Sequence, residues 1–170
     1  MREFLSRYAD LLTGICSRYI TGPDDVNDVM QESLLHIISH ISSFTYRGQG
    51  SLRAWASRIV VNESLRFLRT ASLHELPLPE GDIPDGADTD DDGDAPPVSD
   101  IPPDELRRMI GLLPTGYRMV FNLYVFEGKS HHEIAAMLGI RENTSSSQLH
   151  RAKGLLARMI RQYNANHPTP

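Results

Sequence analysis

The densest set of side chains able to bond a nucleic acid lies near the C-terminus, between residues 141 and 153. Apolar residues recur there at helical spacing, at Leu149, Ala152 and Leu156, which predicts that one face is buried in a core. The positions between them carry hydroxyl, amide, imidazole and basic groups, at Ser145, Ser146, Gln148, His150, Arg151 and Lys153. Such groups bond phosphate oxygens and the edges of base pairs. This spacing therefore indicates recognition of DNA by the outward face of a helix.

A shorter helix is predicted immediately before it. Ser130 and Glu133 form a capping box at its start, and Gly139 stands where a helix ends in the left-handed conformation. Two helices joined by so short a turn indicate a helix-turn-helix, which lays its second helix in the major groove. The alternative is a structural corner of a small helical domain. DNA binding is favoured because no acidic residue occurs from 143 to 162, and carboxylates would repel phosphate.

The acidic charge of the chain is confined to one segment. The formal net charge is −5, but residues 79–100 hold nine acidic residues and no Lys or Arg. Without them the chain has 17 basic and 13 acidic residues, a net charge of +4. The prolines and acids of this region leave too little apolar surface to offset the entropy of ordering. We therefore predict a disordered acidic linker over 73–103.

Helical periodicity on both sides of the linker predicts an all-α fold with two small domains. The first domain, 1–72, has three helices. The second, 104–164, has four helices and ends with the helix-turn-helix, and residues 165–170 form a tail. The second helix of the first domain is expected to bury Val26, Val29, Met30, Leu34, Ile37, Ile38 and Ile41. Each domain therefore has a core of its own.

The sequence is expected to belong to a cytoplasmic protein. No apolar run approaches the about 20 residues of a membrane span, so no membrane insertion is expected. Met1 opens a polar amphipathic segment rather than a signal peptide. Cys16 is the only cysteine, which excludes an intrachain disulfide and agrees with a reducing compartment.

The residues offer little support for catalysis or metal binding. The DTDDDG pattern at 88–93 copies the opening of a calcium loop, but Ser99 stands where the glutamate ligand belongs. His131, His132 and Glu133 lack the second histidine of a zinc-binding helix. No nucleophile paired with a base and no glycine-rich phosphate loop occurs in the sequence. We expect no enzymatic activity, no metal and no cofactor.

Three segments of the sequence resemble bacterial RNA polymerase sigma factors. Residues 24–37, DDVNDVMQESLLHI, resemble that family's polymerase-binding helix, and residues 51–69, SLRAWASRIVVNESLRFLR, its promoter-melting helix. Residues 113–156, LPTGYRMVFNLYVFEGKSHHEIAAMLGIRENTSSSQLHRAKGLL, are similar to its C-terminal promoter-reading domain. Two domains with only a linker between them resemble the extracytoplasmic-function (ECF) subfamily. The resemblance implies a sigma factor that binds core RNA polymerase, recognises the minus-ten and minus-thirty-five promoter elements and directs transcription initiation.

The resemblance assigns core-polymerase binding to one face of the second helix. In the family this face holds the clamp coiled coil of core polymerase, where basic side chains would meet carboxylates about one helical turn apart. The residues assigned are Asp25, Asp28, Val29, Gln31 and Glu32. The alternative is an ordinary solvated face, on which the helix dipole favours acids near the helix start.

Promoter opening is assigned by the resemblance to the following loop and the third helix. The residues implied are Tyr46, Arg47, Ser51, Arg53, Trp55, Arg58 and Asn62. The aromatic rings, with Phe44, offer faces for unstacked bases, and the arginines offer phosphate contacts. Asn62 falls where family members read an extruded base of the minus-ten element. A core position is the alternative for Trp55, because it stands at helical spacing from Ile59.

The minus-thirty-five element is assigned to the last helix, near its N-terminus. The base contacts implied are Arg141, Glu142, Ser145, Ser146 and Gln148, and the phosphate contacts are Thr144, Arg151 and Lys153. The sequence departs from the family here. Lys or Arg often occupies the positions of Ser146 and Gln148, and Gly often that of Asn143. Fewer charges imply weaker and less salt-dependent binding of DNA by this domain.

Two partners follow from the resemblance, core RNA polymerase and promoter DNA. An anti-sigma factor is an expectation of the family alone, since no residue indicates one. For the linker the family implies a path through the polymerase where a polyanion imitates RNA, and a solubilising tether is the alternative. The main alternative for the whole chain is a stand-alone helix-turn-helix transcriptional regulator that binds duplex DNA without polymerase.

Overall fold

The computed structural model describes residues 2–72, 98 and 101–167, which fall into two compact units. Of the linker predicted over 73–103, residues 73–97, with the calcium-like pattern at 88–93, and residues 99 and 100 lie outside the described residues. Every regular element among the described residues is a helix, which confirms the all-α prediction. None of these helices is both long enough and apolar enough to cross a membrane.

The first unit consists of three long helices around one core. Its elements are α1 (Arg2–Tyr19), α2 (Pro23–His40), a 3-10 turn (Ile41–Ser43) and α3 (Ser51–Ser72). Pro23 opens α2, where its fixed φ suits the first turn and its missing N–H would be unpaired in any case. All three helices pack on one another, and their buried residues include Leu12, Ile15, Cys16, Tyr19, Val26, Met30, Ile37, Ala56, Val60, Leu65 and Leu68.

The C-terminal half of α2 differs from the prediction. Ile37 is buried, but Ile38 is 47% exposed and Ile41 is 42% exposed. Consecutive helical residues point about 100° apart, so Ile38 turns away from the core that Ile37 enters. Ile41 lies beyond the end of α2, in the 3-10 turn. Assigning these two residues to the core is wrong, and with the exposed Leu35 they form an apolar patch on the surface.

The second unit contains four helices. They are α4 (Pro103–Gly111), α5 (Thr115–Val125), α6 (His131–Leu138) and α7 (Glu142–Asn166). The other three pack against α7, whose buried stripe is Ser145, Leu149, Ala152, Leu156 and Ile160. Ile101, which was predicted to lie in the linker, is buried in the same core as Met109 and Leu113. The ordered packing of this unit therefore begins before α4.

A buried arginine holds the turn between α4 and α5. The Arg118 guanidinium donates to the carbonyl oxygen of Gly111 at 2.8 Å and to that of Leu113 at 3.0 Å. Carbonyl oxygens at the C-terminal end of a helix have no N–H donor within the helix, and the Arg118 guanidinium supplies a donor here. Burial lowers the pKa of Arg118. The side-chain amide of Asn122 donates to the carbonyl oxygen of Arg118 at 2.8 Å, so a second buried hydrogen bond lies one turn further along α5.

Both ends of α6 have the geometry that the sequence predicts. The Glu133 N–H donates to Ser130 Oγ at 3.2 Å, and the Ser130 N–H donates to Glu133 Oε2 at 2.9 Å. Lys129 Nζ donates to Glu133 Oε1 at 3.0 Å. Gly139 has a φ of 70°, and its N–H donates to the carbonyl oxygen of Ala135 at 2.9 Å. The capping box and the left-handed helix end are confirmed.

Replacing Arg118 with alanine should destabilise the second unit by about 2–4 kcal/mol, because two carbonyl oxygens lose a charged donor. Trp55 is the only tryptophan and lies in the first unit, so its fluorescence reports that unit. In urea unfolding of the full chain, we expect a lower midpoint by circular dichroism and an unchanged Trp55 transition.

The control for this variant is Arg107→Ala, which removes an exposed ion pair with Asp104. It should change the free energy of unfolding by less than about 1 kcal/mol. Equal stability of the two variants would contradict the role assigned to Arg118.

The capping carboxylate should make α6 sensitive to acid. Hydrogen bonds from the Ser130 N–H and from Lys129 lower the pKa of Glu133 from 4.5 to about 2. Its stabilisation of α6 is therefore complete above the ordinary pKa and is lost as the pH falls through the depressed one. An NMR titration measures the pKa of Glu133, and amide hydrogen exchange of α6 as a function of pH measures the stabilisation of the helix. Glu133→Gln, which keeps an oxygen acceptor but does not titrate, should remove the pH dependence, and an ordinary pKa for Glu133 would show that the box is open in solution.

Candidate nucleic-acid and partner surfaces

The outward face of α2 carries acidic side chains in its first half and apolar side chains further along the helix. The polar residues predicted for this face are all exposed: Asp25, Asp28, Gln31 and Glu32. Val29 is only 3% exposed and packs in the core of the unit, so its side chain is not part of the exposed face in this structure. Steps of three and four residues lead from Asp28 to Glu32 and then to Leu35 of the apolar patch. Residues at this spacing share one helix face, so acidic and apolar groups are exposed side by side.

A charged cluster joins α2 to α3 beside this face. Glu63 of α3 lines a cavity of about 430 Å³ between the two helices, and its side chain is 8% exposed. Arg66 donates to one carboxylate oxygen of Glu63 at 2.6 Å, and Nδ1 of His36 lies 2.6 Å from the other. This Glu63 cluster, composed of His36, Glu63 and Arg66, holds α3 against the helix that carries the acidic face.

The loop before α3 is shaped by glycines and by a serine. Gly48 and Gly50 have φ values of 105° and 85°, which glycine adopts without strain. Ser51, the first residue of α3, accepts the N–H of Arg47 at 3.2 Å and donates to the carbonyl oxygen of Gly48 at 2.7 Å. These bonds order the loop that exposes Tyr46.

Two aromatic rings line a groove at the start of α3. Trp55 is half-buried, and its ring centroid lies 5.3 Å from that of Phe44. Both rings border a cavity of about 360 Å³ together with Arg47 and Arg58. Trp55, Arg58 and Asn62 recur at helical spacing and share one face of α3. The exposed polar residues of this surface are Tyr46, Arg47, Arg53, Arg58 and Asn62.

The start of α7 exposes only part of the set predicted to bind DNA. Its exposed members are Arg141, Glu142, Ser146, Arg151 and Lys153. Thr144 and Gln148 are half-buried. The side chain of Gln148 lies close to Gly116 of α5, since a Cβ added to Gly116 would be 3.3 Å from Nε2 of Gln148. Ser145 is fully buried, with its hydroxyl 3.0 Å from Nδ1 of His131. Ser145 belongs to the buried stripe of α7, so its hydroxyl is not exposed with the rest of the predicted set in this structure.

Comparison with known proteins relates both units to one family. Residues 4–73 match the family model of Sigma-70 region 2, and residues 104–156 match that of Sigma-70, region 4. The ECF RNA polymerase sigma-E factor of Salmonella typhimurium is 30% identical over 155 residues, covering 86% of this chain and 79% of the relative. The chain belongs to the ECF sigma factors.

Other proteins similar to this sigma factor agree with that membership. The ECF RNA polymerase sigma-E factor of Haemophilus influenzae is 28% identical over 165 residues, covering 92% of this chain and 85% of the relative. Among solved structures, the sigma factor RpoE of Bartonella quintana, in complex with the anti-sigma factor NepR, matches with a TM-score of 0.55 and 18% identity. That match covers 94% of this chain and 96% of the other, and it shows a shared fold.

Each region of this sigma factor contains a side-chain contact between helices that was not predicted from the sequence. Region 2 includes the Glu63 cluster, and region 4 includes the hydrogen bond between His131 and Ser145. The sequence does indicate the burial of Ser145, since it stands four residues before Leu149 and therefore on the buried stripe of α7. In the Glu63 cluster, the i,i+3 spacing of Glu63 and Arg66 is a local signal, but none indicates the contact with His36, because His36 and Glu63 are 27 residues apart.

Proposed function

We propose that this sigma factor binds core RNA polymerase with the exposed face of α2 and reads the minus-ten and minus-thirty-five promoter elements with α3 and α7. The observation that carries the proposal is that α2 exposes Asp28 and Glu32 next to the apolar patch of Leu35, Ile38 and Ile41. A contiguous exposed apolar patch is typical of an interface, and its acidic neighbours favour a partner with basic groups. The clamp of core polymerase is the partner that the sigma family binds with this helix.

The groove at the start of α3 would take an unstacked base of the minus-ten element. A base of any type can stack on an aromatic ring, which Phe44 and Trp55 provide, while Arg47 and Arg58 are placed to bind phosphates. Asn62 would add selectivity, because its amide group both donates and accepts hydrogen bonds. Its exposure on the same helix face leaves that group available to a base extruded from the duplex.

The start of α7 would contact the minus-thirty-five element with fewer groups than the sequence predicts. Arg141 and Glu142 are exposed and have the chemistry to bond guanine and cytosine. Arg151 and Lys153 would bind phosphates, which position a protein without selecting sequence. Since other members of the predicted set are turned inward, much of the promoter selectivity would rest on region 2.

The proposed activity requires binding alone. Contacts to extruded bases would supply the free energy of promoter opening, so the chain would act without a cofactor or catalysis of its own, in the cytoplasm with the polymerase. An anti-sigma factor is a further proposed partner, since the related RpoE was solved with NepR. Such a regulator would act by covering the exposed face of α2.

Replacing Asn62 with alanine should reduce transcription from a cognate promoter about 5- to 150-fold, the range expected for the loss of a specific base contact. Run-off transcription with purified core polymerase measures this, on a promoter selected by the wild-type holoenzyme. Core binding should be unchanged. The control is Thr70→Ala, which removes an exposed hydroxyl from the same helix. Full activity of Asn62→Ala would refute the proposed role of Asn62.

Reversing Asp28 and Glu32 to lysine should weaken core binding about 100-fold or more, because like charges would then face the clamp. Titration of a labelled chain with core polymerase measures the affinity. The matched control reverses Asp10 and Asp104, exposed acids of α1 and α4, and should bind as the wild type does. If both double variants bind equally well, α2 is not the polymerase-binding helix.

A further inference from the structure

Four side chains form a junction where α5, α6 and α7 meet: Tyr124, His131, Ser145 and Lys153. Tyr124 lies in the last turn of α5, His131 begins α6, and Ser145 lies in the first turn of α7. The rings of Tyr124 and His131 are stacked, with centroids 4.9 Å apart and planes inclined by 22°. Nδ1 of His131 lies within hydrogen-bond distance of the Ser145 hydroxyl, at 3.0 Å. His131 therefore contacts both neighbouring helices.

Tyr124 also contacts a cation on the outer surface of α7. The ammonium nitrogen of the exposed Lys153 is 5.7 Å from the centroid of the Tyr124 ring. At this distance the negative face of an aromatic ring attracts an ammonium group. A lysine side chain otherwise samples many rotamers, and ordering it on binding costs free energy. The Tyr124 ring thus restricts Lys153 before any ligand arrives.

The exposure of this junction separates it from ordinary core packing. Tyr124 is 39% exposed, so it contributes less to the hydrophobic core than a buried tyrosine would. Ser145, in contrast, is fully buried, and its hydroxyl requires the partner that His131 supplies. The His131 ring is therefore fixed from the interior while it supports Tyr124 at the surface.

We infer that His131 and Tyr124 are positioning residues for DNA binding by this sigma factor. Ser145 fixes the ring of His131, His131 stacks on Tyr124, and Tyr124 holds the ammonium of Lys153 for a backbone phosphate. The inference rests on the proposed contact of α7 with the minus-thirty-five element. A lysine ordered in advance loses less entropy on binding, so the junction raises affinity without adding a contact to DNA.

The first test uses the free full-length chain and needs no DNA. The methylene protons beside the Lys153 ammonium should be shifted upfield in NMR spectra by the Tyr124 ring. Tyr124→Leu should remove this shift. His131→Asn, which keeps a hydrogen-bonding group for Ser145 but lacks the stacked ring, should reduce it. The control is His132→Asn, at a side chain that is 85% exposed, and it should leave the shift unchanged. An unshifted Lys153 in the wild-type chain would overturn the inference.

The second test measures promoter binding by the holoenzyme at several salt concentrations. Lys153→Met should reduce the slope of log affinity against log salt by about 1, as expected for the loss of one phosphate contact. Tyr124→Leu should weaken binding about 2- to 5-fold, and should have no further effect when Lys153 is already methionine. His131→Asn should behave as Tyr124→Leu does.

The contrary results separate the inference from the function on which it rests. If Tyr124→Leu weakens binding equally with and without Lys153, the junction only braces the fold, and the positioning role is wrong. If Tyr124→Leu leaves affinity unchanged while Lys153→Met lowers the salt slope, the phosphate contact stands and the positioning role again fails. If Lys153→Met changes neither affinity nor slope, the inference fails together with the proposed phosphate contact.

Discussion

Burial of one side of α7 determines which of its side chains are exposed for the proposed contact with DNA. The stripe from Ser145 through Leu149 to Ile160 packs against the neighbouring helices. Because α-helical geometry is fixed, the direction of that stripe sets the direction of every other side chain on the helix. Arg118 and the capping box of α6 act through the same constraint, since they hold the elements against which α7 packs. The packing of the core thus decides which side chains of α7 are exposed for the proposed contact with DNA.

In the first unit, too, contacts between helices determine which side chains are exposed, and one of these contacts is the charged Glu63 cluster. The Glu63 cluster adds to the hydrophobic packing that holds α3 against α2, and these two helices carry two proposed surfaces, the acidic face and the face with Asn62. A carboxylate this buried is costly unless it is paired, which is why two cationic or hydrogen-bonding partners accompany it. Polymerase binding and promoter opening would then depend on a single rigid helix pair.

The sequence predicted the features that depend on residues close together in the chain. The Ser130–Glu133 capping box and the Gly139 helix end are local patterns, and both were correct. Periodicity identified α2 but could not show where its buried stripe stops, so Ile38 and Ile41 were placed in the core. Residue type was also a poor guide to exposure: Ser145 is polar and was expected on the outward face of α7, but it is buried. Its partner His131 lies 14 residues away, and His36, the partner of Glu63 on the neighbouring helix, lies 27 residues from it, so local pattern indicates neither contact.

The proposed surfaces have a purpose only when a polymerase and a promoter are both present. The most direct measurement is run-off transcription by purified core RNA polymerase, with and without the chain, on a library of promoter fragments. We expect a promoter-specific transcript that appears only when the chain and the core enzyme are combined. A chain that leaves the transcripts of the core enzyme unchanged, yet binds a defined duplex by itself, would contradict a sigma-factor function and indicate a stand-alone regulator.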